Sequence, residues 1–106
     1  IHVLDLAEAH ILAMKYLLKG GESNIFNLGN GMGFSVLEVI KAVEKITGKL
    51  VPVVKEKRRK GDPPTLVASS DKIYKKLGWE PEYTKLETIL ETAWKWHSTH
   101  PEGYGT

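Results

Sequence analysis

The chain has 106 residues, 42% hydrophobic and 26% charged, with a formal net charge of +2 at neutral pH. That length and composition fit one globular domain with its own core and exclude disorder, while the lack of cysteine excludes disulfides, thiolate metal sites and cysteine nucleophiles. No apolar run approaches the length of a membrane span, and so small a net charge gives no footprint for nucleic acid, so a cytoplasmic protein that binds neither is expected.

Ile1-His2-Val3 has strand character, with no Met and no turn before it, which suggests a piece of something longer. Leu4, Ala7, Ile11, Met14 and Leu18 then recur at spacings of three and four. This predicts a helix from about Leu6 to Lys19 that buries the stripe. Asp5 and Glu8 have the spacing of a capping box, and Gly20-Gly21 ends the helix. Ala9, Leu12, Ala13, Tyr16 and Leu17 are apolar outside the stripe, more than one face can bury, so a homo-oligomer is expected. Asn24 to Leu28 is short, apolar-rich and followed by glycines, which predicts a strand.

The next helix is the best specified. Ser35 and Glu38 form a capping box, Phe34 is placed to staple against Val39, and Gly48 can close the helix in the left-handed region. Val36, Val39, Ile40, Val43 and Ile46 form its predicted buried stripe. Leu50 to Val54 is rich in β-branched residues and predicts another strand. Ser70 can cap a short helix carrying Ile73 and Leu77 and ending at Gly78. Thr84 and Glu87 suggest a capping box for a last helix, with Leu86, Ile89, Leu90, Ala93 and Trp94 inward and Pro101 as its limit. The predicted class is therefore α/β, with short, partly parallel strands and about four helices in a single domain spanning 1–106.

Gly29-Asn30-Gly31-Met32-Gly33 sits between a predicted strand and a helix, where a dinucleotide loop would lie. The third glycine of that fingerprint would fall on Phe34, so a tight turn is favoured. The histidines do not make a metal site: His2 and His10 are eight apart, and His97 and His100 are three apart without an acidic partner. Ser69, His97 and Asp71 supply the types for a catalytic triad, but chains of this size commonly offer such triples. Trp79, Trp94 and Trp96 read as core or interface anchors.

The strongest electrostatic feature is Lys55, Lys57, Arg58, Arg59 and Lys60, interrupted only by Glu56. A guanidinium binds two phosphate oxygens at once, and a carboxylate three residues on can accept from sugar hydroxyls, so Arg59 and Asp62 suit a nucleoside diphosphate. The alternative is a solvated basic loop that keeps the preceding strand from edge pairing. A nucleic-acid patch fits less well, because no aromatic residue is interleaved.

Three segments resemble the UDP-galactose (UDP-glucose) 4-epimerases of the extended short-chain dehydrogenase/reductase superfamily. They are His2-Val3-x-Asp5-Leu6-Ala7-x-Ala9-His10; Phe26-Asn27-Leu28-Gly29-x-Gly31 with Ser35-Val36-x-Glu38-Val39; and Arg58-Arg59-x-Gly61-Asp62-Pro63 with Lys76-Leu77-Gly78-Trp79 and the tail Trp96-x-x-x-His100-Pro101-x-Gly103-Tyr104. The resemblance implies a C-terminal sugar-nucleotide-binding portion whose N-terminal Rossmann half, which binds NAD in such enzymes, is absent. It implies that Arg59 contacts the diphosphate and Asp62 the uridine ribose of a UDP-sugar. Some members have a tyrosine four residues beyond the aspartate; Leu66 stands there, and that contact is not carried over. None of Tyr16, Tyr74, Tyr83 and Tyr104 has a lysine four residues later, so the family's catalytic Tyr-x-x-x-Lys pair is missing. No catalytic residue, cofactor site or metal site is therefore expected in this chain, and UDP-sugar binding in isolation should be weak or absent. A stand-alone assembly module that keeps the fold without the chemistry is the alternative.

Overall fold

The computed structural model describes residues 1–105 and contains four α-helices: α1 (Val3–Leu18), α2 (Val36–Thr47), α3 (Asp71–Leu77) and α4 (Leu86–Thr99). Among the described residues there is no strand, which corrects the α/β expectation; the architecture is helical with extended connections. Ile1-His2-Val3 instead runs into α1. At residues 24–29 the polar backbone finds side chains in place of a neighbouring strand. Asn24 Oδ1 accepts from Ile25 N (2.9 Å), Lys72 Nζ donates to Ile25 O (2.8 Å), and Ser70 Oγ both accepts from Gly29 N (2.8 Å) and donates to Gly29 O (2.7 Å). Leu50 to Val54 also lacks a ladder partner, and Leu50 and Val54 are exposed. Composition supplies strand propensity, but a ladder needs a second edge.

The chain divides into two compact units, residues 1–33 with 66–84, and residues 34–65 with 85–106. The first is built on Ala9, Ile73 and Trp79, with Leu12, Phe26, Leu28 and Leu77 packed around them. Its most connected point is polar. Asp5 is 4% exposed and lies inside α1, so the expected Asp5–Glu8 capping box does not form. The Asp5 carboxylate accepts from Glu82 N (2.8 Å) and Tyr83 N (3.0 Å), and its carbonyl accepts from Trp79 Nε1 (2.9 Å). One residue thus ties the first turn of α1 to a segment more than seventy positions away. The cap itself is His2, whose Nδ1 accepts from Leu4 N (3.1 Å) while its ring stacks on Tyr83 at 4.4 Å.

This arrangement reverses the expected orientation of α1. Asp5, Ala9, Leu12, Ala13 and Tyr16 face inward, whereas Leu4, Ile11, Met14 and Leu18 are exposed, Leu18 at 78%. A three-four pattern locates an apolar face without saying which of two such faces the chain itself covers. Asp5 lies on the inner face, where a carboxylate can be buried because backbone donors satisfy it.

In the second unit, α2 forms as its sequence dictates. Glu38 N donates to Ser35 Oγ (3.2 Å), Ser35 N donates to Glu38 Oε2 (2.7 Å), and Gly48 closes the helix. Those bonds to Ser35 hold the Glu38 carboxyl below its ordinary value. Val39, Ile40, Val43 and Ile46 are half-buried on the side that meets α4, where Leu86, Ile89, Leu90 and Trp94 are half-buried in turn. Val36 and Ala93, expected inside, are exposed. Two further expected caps are absent. Ser70 is occupied with Gly29 and makes no cap bond, and α4 begins after Lys85 without a side-chain cap, which sets aside the Thr84–Glu87 box.

Candidate functional site

The basic loop follows α2 and the extended Leu50–Val54 segment. Gly61 has φ +92°, a conformation that disfavours any residue with a Cβ, and it lets the chain turn so that Asp62 N donates to Arg59 O at 3.4 Å. Pro63-Pro64 stiffens the exit from the turn. Closure of the turn brings the two expected contact residues together. Arg59 Nε donates to Asp62 Oδ2 at 2.9 Å, with the side chains 85% and 45% exposed. Arg58 Nη2 donates to the Asp62 carbonyl at 3.1 Å and braces the same turn. An ion pair this exposed adds little stability, about 0 to 1 kcal/mol, so its interest lies in what it presents to solvent. Around it Lys55, Lys57 and Lys60 are also exposed, a surface favourable to a polyanion. Residue types and spacing alone do not show that Arg59 and Asp62 bind each other or that Arg58 holds the turn.

The glycine-rich stretch behaves as a turn. A Cβ on Gly29 would lie 2.7 Å from Ala68 O, and one on Gly33 would lie 2.7 Å from Val67 Cγ2. These glycines are needed for close approach of the chain to itself, and Asn30 Oδ1 accepts from Met32 N (3.1 Å) to set the bend. The adjoining cleft of about 470 Å³ is lined by Gly29, Asn30, Ser69, Ser70, Tyr74 and Trp79 among others. The residues present do not fit a dinucleotide: the space beside two of the glycines, where a pyrophosphate would need to approach, is filled by residues 67 and 68.

The other polar candidates are engaged locally. Ser69 Oγ accepts from Asp71 N (3.4 Å) at the entry to α3, and His97 packs edge-on against Trp96 at 5.1 Å. His100 stacks on Trp96 at 4.9 Å, and Tyr104 lies 5.3 Å from the same ring, so Trp96 anchors the tail. Lys49 Nζ sits over the Trp94 ring at 5.1 Å. Among the described residues there is no group of three or more potential metal ligands, and no helix is long and apolar enough to cross a membrane.

No protein-family model matches the chain. Individual proteins do. The UDP-glucose 4-epimerase of Halalkalibacterium halodurans is 56% identical over 106 residues, which cover 100% of this chain and 32% of that protein. The UDP-glucose 4-epimerase of Lacticaseibacillus casei is 53% identical over 105 residues, covering 99% of this chain and again 32% of the relative. Among solved structures, a UDP-glucose 4-epimerase superposes with a TM-score of 0.89 at 52% identity, over 100% of this chain and 32% of the other. A UDP-glucose 4-epimerase from Stenotrophomonas maltophila, solved with bound NAD and formylated UDP-arabinopyranose, gives 0.81 at 38% identity over 96% of this chain and 30% of its own. The chain thus spans roughly a third of the length of the relatives it matches. In sequence and in backbone the chain matches the C-terminal part of UDP-glucose 4-epimerases, proteins of the short-chain dehydrogenase/reductase superfamily.

Proposed function

We propose that these 106 residues supply one wall of the UDP-hexose site of a UDP-glucose 4-epimerase-like, NAD-dependent isomerase, with Arg59 on the diphosphate and Asp62 on the uridine ribose. The observation that carries the reading is similarity along the whole of this chain to about a third of such enzymes, coupled with an exposed loop that holds a guanidinium and a carboxylate side by side. The chemistry suits the ligand. Arg59 offers guanidinium donors to phosphate oxygens, and Asp62 offers a carboxylate to hydroxyl donors. Proton transfer at the sugar and the NAD cradle would come from outside these residues, because neither a Tyr-x-x-x-Lys pair nor a fitting dinucleotide loop is present. We place the protein in the cytoplasm. Incubated with UDP-galactose and NAD, the purified chain should form no UDP-glucose; turnover would overturn the division of labour.

The exposed stripe on α1 fits the same proposal. Leu4, Ile11, Met14 and Leu18 would face the part of the enzyme that lies outside this sequence, and a chain on its own would cover them with a second copy. Light scattering at micromolar concentration should therefore find a dimer or larger species. A clean monomer would show that these side chains tolerate water.

A further inference from the structure

The guanidinium of Arg59 is a planar fork whose edges can each hold two oxygens. One edge includes Nε, and Asp62 Oδ2 already occupies that donor at 2.9 Å. The contact is built into the turn. Asp62 N returns to Arg59 O, Gly61 takes φ +92°, and Arg58 Nη2 holds the Asp62 carbonyl, so the carboxylate is tethered three residues from the group it binds. It sits where a phosphate oxygen would sit, at the high effective concentration of an intramolecular competitor.

Two kinds of incoming anion meet different fates there. A bare phosphate or pyrophosphate that claims the Nε edge expels Asp62, leaving a carboxylate without its partner and next to added negative charge. A diphosphate that also carries sugar hydroxyls offers the displaced carboxylate new donors, so the exchange leaves no acceptor unpaired. Building on the site proposed above, we infer that Asp62 screens Arg59 against phosphates that lack a sugar hydroxyl, favouring a nucleoside diphosphate over inorganic pyrophosphate. Asp62 is then a specificity-determining residue as well as a contact.

The test is amide NMR titration of the whole chain at low ionic strength, with inorganic pyrophosphate and separately with UDP. Asp62→Asn removes the paired carboxylate. Glu56→Gln removes the same charge from the same loop without touching the pair. Asp62→Asn should tighten pyrophosphate binding by about two- to five-fold beyond any gain from Glu56→Gln, the range expected for freeing one exposed ion pair, and should weaken UDP. Equal gains in the two variants, or no gain in either, would overturn the screen. Arg59→Ala separates this from the site itself. Loss of UDP binding in that variant together with equal pyrophosphate gains retires the screen alone, whereas UDP binding unchanged by Arg59→Ala overturns both.

Discussion

Replacing Trp79 by alanine should cost the first unit about 3 to 5 kcal/mol, the usual range for removing a large aromatic from a core, and leave it largely unfolded. The indole is 1% exposed and is the largest of the three side chains that form the core, so no neighbouring apolar group can close the cavity. The loss is more than volume. Trp79 Nε1 also donates to Asp5 O at 2.9 Å, a bond to α1 that alanine cannot make. Trp79→Phe restores much of the apolar volume but not the hydrogen bond, and should fall between the two. Urea unfolding followed by far-UV circular dichroism measures the order; a Trp79→Ala chain with an unshifted midpoint would show that the core lies elsewhere.

Asp5→Ala should be nearly as damaging, about 3 kcal/mol, although it removes only a few atoms from a helix. Two backbone donors, Glu82 N and Tyr83 N, lose their acceptor together, and of the contacts to residue 5 only the Trp79 bond to its main-chain carbonyl survives. Asp5→Asn provides the diagnostic comparison. Its single amide oxygen can accept from one of the two donors while its NH₂ faces the other, so it should destabilise clearly but less than alanine. Thermal unfolding reads the series. Equal midpoints for Asp5→Ala and the unsubstituted chain would mean that water replaces the carboxylate without cost.

Much of this was legible in the residues, and the failures share a cause. The capping box at Ser35 and Glu38 was readable because every group it needs lies within four positions. The roles of Asp5 and Ser70 were misread because their partners lie 77, 78 and 41 positions away, beyond the reach of local pattern. The local pattern predicts a cap at each, a job for which their side chains also qualify. The strands failed similarly: residues 24–28 and 50–54 have β propensity, but pairing is a property of two segments. In the basic loop, residue types and the three-residue spacing group Arg59 with Asp62 as candidates. Only the turn through Gly61 reveals that they meet.

The central claim is that the loop around Arg59 and Asp62 is the part of this chain that meets a UDP-sugar. Amide NMR mapping with UDP locates that contact directly. The account predicts weak binding, with the largest shifts at residues 58–62 and their disappearance in Arg59→Ala. Shifts centred on residues 29–33 and 69–71, with 58–62 silent, would place the ligand in the glycine-lined cleft and contradict it.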